Sequence, residues 1–342
     1  MINFLKQNTQ GVTIASNRVR NGIALILLIV AAGSLVFYSR SENEDISFGE
    51  LYRHVVRNID SQDNISDIGG DVTFARVIIP TPVLNTSSSP YDASGLSACC
   101  TMVKDIQSGT VLFSQNEYMS RPLASITKLM SALVLLEHDV EWTTSTVVVD
   151  DAVVDTHMYA GDTYTLEQLW NAAYVGSSNK AVLTLVDATG WTREQFVARM
   201  NEKAQEIGLT QTVFVEPTGL DSGNVSNASD VALLVHEALQ KSEIASALHV
   251  KEYTLYSHER DNEHQMWNTD WLLLGWVTHN FADFRGGKTG FIPSSGYNFT
   301  MEVADENGHA VDVVVLGSQS NESRFNEARD LAQWAFDNYT WN

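Results

Sequence analysis

Two pairs of hydrophobic runs along the chain predict β-hairpins. The runs CTMVKDI and TVLFS flank Gln107-Ser108-Gly109, a short polar segment of the kind found in hairpin turns. A second pair, YNFTMEVA and AVDVVVLGS, flanks Asn307-Gly308, a dipeptide that is favoured in tight turns because both residues tolerate positive φ. The two hairpins predict an antiparallel sheet.

Elsewhere in the chain the hydrophobic positions recur with the period of a helix. Ile126 to Glu137 is strongly helical, residues 165–240 contain several helical stretches, and Arg324 to Tyr339 forms a closing amphipathic helix. The apolar face of the closing helix is formed by Leu331, Trp334 and Ala335. The order hairpin, helices, hairpin, helix predicts an α+β fold, in which helices flank an antiparallel sheet and a helical subdomain is inserted in the middle.

One segment near the N-terminus is apolar without interruption. From Gly22 to Tyr38 the chain contains no charged residue, and this length is at the short end of the roughly 17–25 residues that span a bilayer. Basic residues precede the segment and acidic residues follow it, which by the positive-inside rule predicts a cytoplasmic tail at 1–21 and a transmembrane anchor at 22–38. We therefore expect a single-pass protein of the cell membrane with its main domain outside the cytoplasm. A cleaved signal peptide is the alternative, since Ala31-Ala32-Gly33 offers small residues.

Residues 39–95 are predicted to be a membrane-proximal region and linker. The capping-box spacing of Ser47 and Glu50 predicts a short helix, and VTFARVII at 72–79 predicts a strand. Three of the six prolines then follow, with three consecutive serines among them, a composition typical of linkers. The main domain is predicted to span 96–342.

Charge and cysteine content exclude several classes of protein. Lys and Arg total 21 and Asp and Glu total 42, so the formal net charge is −21. A chain this acidic repels phosphate backbones, and nucleic acid is not an expected partner. The two cysteines, Cys99 and Cys100, are adjacent, so they cannot form a disulfide scaffold. No Cys/His spacing predicts a zinc site.

The first predicted helix opens with a candidate nucleophile and base. Ser125-Ile126-Thr127-Lys128 puts a serine and a lysine on one helix face. The helix N-terminus stabilises negative charge, and a lysine in an apolar, positively charged site can lose its proton and act as a base. A second Ser-x-x-Lys, Ser177 to Lys180, matches the same template, and Ser222-Gly223-Asn224 is then a possible partner for it. Spacing alone does not decide which of the two Ser-x-x-Lys segments carries the nucleophile.

Two further segments carry residues that suit a binding cleft. Ser177-Ser178-Asn179 follows Gly176 on a predicted turn between helices, where Ser177 can relay a proton and Asn179 can bind a substrate amide. Lys288-Thr289-Gly290 follows two glycines at a predicted strand edge. Lysine and threonine there suit a carboxylate, and Gly290 leaves room for a substrate strand. A basic turn before a strand is the simpler interpretation of this segment taken alone.

In combination, these segments match a known set. Ser-x-x-Lys, Ser-x-Asn and Lys-Thr-Gly in this order are shared by penicillin-binding proteins and class A β-lactamases. Longer blocks extend the likeness, among them PLASITKLMSALVLLE, GSSNKA, FVEPTGLD, MWNTDWLL, GGKTGFIPSSGYNF and VVLGSQSNESRFNEARDLAQWAF. Over residues 96–342 the chain resembles the low-molecular-mass penicillin-binding proteins, the D-alanyl-D-alanine carboxypeptidases of serine peptidase family S11. Ser125 matches the nucleophile of that family, and Ser177 matches the serine of its Ser-x-Asn element.

The resemblance implies a β-lactamase/transpeptidase-like fold and a serine peptidase that acts on peptidoglycan peptides through an acyl-enzyme. It assigns catalytic roles to Ser125, Lys128 and Ser177, substrate binding to Asn179, Lys288, Thr289 and Gly290, and an oxyanion hole to the backbone N–H groups of Ser125 and Phe291. It implies β-lactams as covalent inhibitors and neither a metal nor an organic cofactor.

Some positions depart from the family pattern, and alternatives stay open. Ser178 stands where the family usually has glycine, Lys180 where it often has an acidic or amide residue, and Thr269 where some members have arginine. The stretch from Glu216 to Leu220 also resembles members that are D,D-endopeptidases, which cut peptidoglycan cross-links with the same site.

Three less favoured hypotheses concern other functions. A class A-like β-lactamase would need a glutamate to activate the deacylating water, and Glu216 follows Asn179 at a superficially suitable distance in sequence. An inactive peptidoglycan-binding module would need no chemistry at all. His258 and His264 in SHERDNEHQ suit a solvated loop better than a metal site.

Overall fold

The computed structural model describes residues 80–155 and 157–341. The tail at 1–21, the anchor at 22–38, the short helix after Ser47 and the strand at 72–79 are predictions that lie outside the described residues. Within the described ranges, the predicted hairpins and helices can be compared with the structure directly.

The elements are numbered in chain order. The strands are β1 Val83–Leu84, β2 Cys100–Asp105, β3 Val111–Gln115, β4 Arg121–Pro122, β5 Ser145–Val147, β6 Thr163–Thr165, β7 Val225–Ser226, β8 Glu252–Ser257, β9 Asn262–Trp267, β10 Asp283–Ile292, β11 Gly296–Ala304, β12 Ala310–Ser318 and β13 Tyr339–Thr340. The helices are α1 Thr127–Leu135, α2 Leu166–Tyr174, α3 Asn179–Ala188, α4 Arg193–Glu206, α5 Ala228–Leu239, α6 Ser242–Leu248, α7 Trp271–Leu274 and α8 Asn321–Asn338.

The main sheet contains five antiparallel strands in the order β10-β11-β12-β2-β3. Both predicted hairpins, β2-β3 and β11-β12, are confirmed, and β12 joins them by pairing with β2. Strand β12 reads AVDVVVLGS, and its β-branched residues favour an extended strand that is covered on both faces. The predicted α+β class is confirmed.

The two faces of the sheet pack against different helices. On one face, Val313 and Val315 lie in a hydrophobic cluster with Phe325 and Leu331 of α8. On the other face, Val314 lies in a larger cluster that includes α1, α5 and the helical subdomain. Since successive residues of a strand point to opposite sides, one strand supplies both clusters.

The helical subdomain begins with strong local signals. Thr165 and Gln168 form a capping box at the start of α2, and Thr192 and Gln195 form another at the start of α4. Each capping box satisfies backbone N–H groups that the first helical turn leaves without partners. These signals are local in sequence, which is why the helices between 165 and 240 were predictable.

One hairpin was not predicted. The segment around His258 and His264, expected to be a solvated loop, forms the turn and second strand of hairpin β8-β9. Mainly Leu255 and Met266 point into the core, and most of the other side chains are exposed. Because so few positions are apolar, the sequence lacks the alternation by which a half-buried strand is normally identified.

The predicted membrane topology needs correction. Between residues 80 and 341, none of the helices combines the length and apolar character required of a bilayer-spanning segment. The longest, α8, has 18 residues, and six of them are charged. Such side chains are costly in hydrocarbon. The placement as a single-pass cell-membrane protein is therefore withdrawn, and the anchor on which it rested lies outside the described residues.

The two ends of the described chain meet. Strand β1 pairs with β13, with Val83 opposite Thr340 and Leu84 opposite Tyr339. Part of the segment expected to be a linker therefore hydrogen-bonds to the end of the chain. The boundary of the main domain at residue 96 stays a prediction.

Candidate active site

Ser125 lies at the entrance to α1, on a 3-10 turn formed by Ala124–Ile126. Ala124 has a φ of 49°, a left-handed conformation that is unfavourable for a residue with a side chain. This turn holds the Ser125 hydroxyl 3.0 Å from Nζ of Lys128 on the first turn of α1. The predicted serine and lysine therefore share one face and are in hydrogen-bonding contact.

Lys128 is completely buried, and its amine has three oxygen neighbours. Nζ lies 2.7 Å from Oδ1 of Asn179 and 2.7 Å from the Thr218 carbonyl, in addition to Ser125 Oγ. Burial lowers the pKa of Lys128 from its ordinary value to about 7, because desolvation disfavours the charged form. A neutral amine has two N–H groups, which suit the amide oxygen and the carbonyl. Its lone pair is then left to accept a proton from Ser125 Oγ.

The turn between α2 and α3 carries the Ser-x-Asn element, as predicted. Ser177 has a φ of 58°, the second left-handed residue at the site. Its hydroxyl accepts a hydrogen bond from Lys288 Nζ at 2.9 Å. Asn179, at the start of α3, reaches Lys128, so this turn contacts both of the other segments.

Strand β10 supplies the Lys-Thr-Gly element. Lys288 is 1% exposed, and burial together with the nearby Lys128 holds the pKa of Lys288 well below its ordinary value. A carboxylate that entered beside it would favour the charged form. The hydroxyl of Thr289 lies 2.6 Å from that of Thr269.

Gly290 lies against the turn that carries Ser125. A Cβ at this position would lie 2.6 Å from the Leu123 carbonyl oxygen and 3.2 Å from Ser125 N. The space on the Cβ side of the glycine is therefore filled by the turn that carries Ser125. This contact also brings the strand, immediately before Phe291, against the backbone amide of Ser125.

The second Ser-x-x-Lys segment, Ser177 to Lys180, does not form a comparable site with the segment around Ser222. Asn224 is fully buried, and its amide group bonds to Thr127, Val215 and Glu216, which cross-links two loops. The positive charge of Lys180 contributes to lowering the pKa of Asp151, so it faces the loop before the helical subdomain. Ser125, Lys128, Ser177, Asn179 and Lys288 are the residues that converge.

Asp155 was not predicted, although it organises the Ser-x-Asn turn. Its Oδ2 accepts hydrogen bonds from the Ser178 hydroxyl at 2.6 Å and from Lys180 N at 2.7 Å. Its Oδ1 accepts from His157 N and Met158 N. Ser178 also caps α3 by accepting a hydrogen bond from Ala181 N. No local pattern marks Asp155, because its partners on the turn are more than twenty residues away.

Glu216 has a structural role that its position alone did not reveal. Its carboxylate accepts hydrogen bonds from Thr218 N and Oγ1, from Gly219 N and from Asn224 Nδ2. These bonds fix the loop whose Thr218 carbonyl faces Lys128. With its oxygens occupied in this way, Glu216 is poorly suited to activate a water molecule.

Known proteins are similar to this chain both in sequence and in architecture. A family model described as D-alanyl-D-alanine carboxypeptidase, family Peptidase_S11, matches residues 85–320. The D-alanyl-D-alanine carboxypeptidase DacC of Escherichia coli K12 is 28% identical over 278 residues, which cover 77% of this chain and 67% of the relative. A D-alanyl-D-alanine endopeptidase of Pseudomonas aeruginosa is 28% identical over 275 residues, 76% of this chain and 85% of the relative.

A solved structure agrees with these relatives. Penicillin-binding protein D2 from Listeria monocytogenes, in its ampicillin-bound form, superposes with a TM-score of 0.62 at 27% identity. The superposition covers 72% of this chain and 100% of the other. The predicted β-lactamase/transpeptidase-like architecture is confirmed.

Proposed function

The chain belongs to the D-alanyl-D-alanine carboxypeptidase family, serine peptidase family S11, and on this basis we propose that it removes the terminal D-alanine from peptidoglycan stem peptides. Ser125 is the nucleophile and carries the acyl group of an ester intermediate that water hydrolyses. The family match and the relatives named D-alanyl-D-alanine carboxypeptidase support this activity.

One observation carries the proposal: the buried amine of Lys128 lies 3.0 Å from Ser125 Oγ while two oxygen acceptors occupy its other directions. A lysine with a pKa of about 7 is partly neutral at physiological pH, so it can take the hydroxyl proton as the serine attacks. General bases work best when their pKa is near the working pH.

In the acylation step, Ser125 Oγ bonds to the carbonyl carbon of the penultimate D-alanine and its proton passes to Lys128. The backbone N–H groups of Ser125 and Phe291 bind the oxygen that becomes negative. Donors of this kind are each worth about 10²–10³ in rate. The charged form of Lys288 and the Thr289 hydroxyl bind the terminal carboxylate, and Asn179 binds the substrate amide.

The C–N bond breaks next, and the leaving D-alanine amine must gain a proton. The proton taken up by Lys128 reaches it with Ser177 as the proposed relay, because Ser177 lies on the same turn as Asn179, which contacts Lys128. Water then attacks the ester and returns a proton to Ser125 Oγ. The products are free D-alanine and a peptide shortened by one residue.

A D,D-endopeptidase is the second candidate, because a relative with that name is as similar to the chain as the carboxypeptidase. The same residues would act on a cross-link between two stems. A β-lactamase is disfavoured, since the carboxylate of Glu216 already accepts bonds from its own loop. An inactive module is disfavoured by the short contact between Lys128 and Ser125.

The test uses two substrates and three forms of the protein. A synthetic pentapeptide ending in D-Ala–D-Ala should release D-alanine, and purified cross-linked peptidoglycan should keep its dimeric muropeptides. Loss of the dimers without release of D-alanine would assign the endopeptidase activity instead. Ser125→Ala should abolish turnover, whereas Ser222→Ala should leave it largely intact. The reverse pattern would mean that the Ser-x-x-Lys segment at Ser177 carries the nucleophile.

Penicillin-type β-lactams are proposed to acylate Ser125, because they mimic the D-Ala–D-Ala end. The ampicillin-bound form of the Listeria relative supports this proposal. A fluorescent penicillin should label the wild-type protein and fail to label Ser125→Ala. Rapid hydrolysis of a chromogenic cephalosporin would point to a β-lactamase instead.

A further inference from the structure

A second group of polar side chains is buried on the sheet, away from the residues assigned to catalysis. Glu302 of β11 is opposite Asp312 of β12, and both are 2% exposed. His236 of α5 reaches down to them, with Nδ1 3.1 Å from Glu302 Oε2. In the described part of the chain, these three residues form a cluster whose potential ligand atoms all lie within 4.8 Å of one another.

One carboxylate oxygen in this cluster is unsatisfied. Asp312 Oδ1 is fully buried and has no hydrogen-bond partner among the described residues. A buried carboxylate without a partner is costly, and two of them side by side repel each other as well. Burial and the neighbouring Glu302 raise the pKa of Asp312 well above its ordinary value, and a bound cation would offset both effects.

The hydrogen bond to Glu302 raises the pKa of His236, and the other positively charged side chains nearby only partly balance the two carboxylates. Arg285 Nη1 lies 2.9 Å from Glu302 Oε1 and its Nε lies 3.1 Å from Asp283, so Arg285 is engaged away from Asp312. Lys104 is the cross-strand neighbour of Asp312. Its chain runs toward the turn at Gly109, where its Cε approaches the Cβ position of the glycine to 3.8 Å.

We infer that His236, Glu302 and Asp312 form a binding site for a divalent zinc ion. One imidazole nitrogen and two carboxylates are a donor set that suits Zn²⁺, whereas Mg²⁺ and Ca²⁺ prefer oxygen ligands alone. Bonds of about 2.1 Å put the ligand atoms of a tetrahedral site about 3.4 Å apart. His236 Nδ1 and Glu302 Oε2 are 3.1 Å apart and all three ligand atoms lie within 4.8 Å of one another, so the side chains would close by up to about 1.4 Å around the ion.

The surroundings support such a site. Arg285 holds the second oxygen of Glu302 and so orients the carboxylate, as outer-shell partners of metal ligands commonly do. The His236 side chain is 30% exposed, which provides a path for the ion and room for water as a fourth ligand. The bound ion ties α5 to two central strands and thereby stabilises the sheet.

The first test measures zinc binding directly. The full-length protein is stripped with EDTA, dialysed and titrated with ZnCl₂ in a calorimeter, and its unfolding temperature is recorded with and without the metal. We expect about one tightly bound ion per chain and a rise in Tm of about 5 °C at saturation. Absence of stoichiometric binding would overturn the inference. Because no substrate is used, the outcome is independent of the peptidase activity.

Near-isosteric variants locate the ion. His236→Gln and Asp312→Asn each remove one ligand and should weaken zinc binding by at least about 100-fold. The matched control is His264→Gln, since His264 and His157 form a histidine pair elsewhere in the described structure, with ring nitrogens 2.9 Å apart. The control should bind zinc like the wild type. Binding that is lost in His264→Gln and kept in His236→Gln would contradict the assignment.

A measurement on the wild-type protein tests His236 as a zinc ligand even where a variant fails to fold. Diethyl pyrocarbonate modifies accessible histidines, and mass spectrometry reports the modification of each peptide. Zinc should protect His236 and leave the modification of His258 unchanged. Equal modification of His236 with and without zinc would exclude this residue as a ligand.

Discussion

At the residue scale, the decisive property is the protonation state of one amine. Ser125 and Lys128 are three residues apart, but spacing does not make a lysine a base. Complete burial does, because it lowers the pKa of Lys128 to about 7. Ala124 and Ser177, two of the four non-glycine residues with positive φ among those described, lie at the two hydroxyl groups of the site, where strained geometry often serves function.

The pKa of Lys128 predicts how acylation depends on pH. With the neutral amine as the proposed base, the rate of acylation by a fluorescent penicillin should rise about tenfold per pH unit up to pH ~7 and level off above it. Stopped-flow measurements between about pH 5 and pH 8 would record this profile. Lys128→Arg keeps the charge but cannot supply a neutral base, and it should be inactive throughout. A flat wild-type profile would show that Lys128 is not the base.

At the element scale, the site depends on how two loops and a strand contact the ends of helices. The loop before the helical subdomain holds the start of α3 through Asp155. Strand β10 touches the turn before α1 at Gly290. Neither contact involves a reacting atom, yet each determines where a reactive hydroxyl group lies.

Removing the Asp155 carboxylate should misplace the Ser-x-Asn turn. Asp155→Ala deletes four hydrogen bonds to a charged acceptor, and we expect a loss of about 2–3 kcal/mol in the free energy of unfolding. Acylation should slow by at least about tenfold. The matched control is Asp151→Ala in the same loop, whose partly exposed ion pair with Arg193 is worth about 1 kcal/mol or less. Equal effects of the two substitutions on acylation would contradict the positioning role.

A methyl group at Gly290 should push the strand away from Ser125. The added Cβ would lie 2.6 Å from the Leu123 carbonyl oxygen, so the strand or the turn must shift. We expect the acylation rate of Gly290→Ala to fall by about 100-fold, while stability falls by about 1–3 kcal/mol. Gly95→Ala, with no atom within 4 Å of the added Cβ, serves as the control. Wild-type acylation by Gly290→Ala would mean that this contact does not align the oxyanion donors.

At the scale of the whole molecule, the chain brings distant segments together around the five-stranded sheet. Strands from residues 100–115 and 283–318 form the sheet, and the helical subdomain is inserted between them. The last residues return to the hairpin side of the sheet. Trp341 donates a hydrogen bond to Asp105 at 2.8 Å and stacks on His309. The end of the chain is therefore part of the packed structure.

Loss of the Trp341 ring should destabilise the molecule without altering its chemistry. Trp341→Ala removes the bond to Asp105 and the ring contacts with His309, Tyr339 and Phe336. We expect Tm to fall by about 5 °C or more, with penicillin acylation unchanged below the transition. Trp276→Ala, whose residue is 59% exposed, should lower Tm less. A larger effect at Trp276 would mean that the end of the chain contributes little to stability.

The sequence by itself determined the family, both sheet hairpins, the main helices and the identity of the candidate nucleophile. These features depend on neighbours within a few positions, such as alternation, helical period and capping boxes. The predictions made from the sequence were wrong for hairpin β8-β9, where few side chains are buried, and for the membrane topology. The sequence identified Gly290 as a candidate site residue, but the contact of this glycine with the turn that carries Ser125 is visible only in the structure.

Only the tertiary structure decided the electrostatics and the supporting contacts. The oxygens around Lys128 come from Asn179 and Thr218, 51 and 90 positions away in sequence, and the pKa of Lys128 follows from that burial. Asp155 and the cluster of His236, Glu302 and Asp312 likewise acquire meaning only when distant elements pack together. Burial and desolvation are properties of the packed molecule, so no local pattern of residues encodes them.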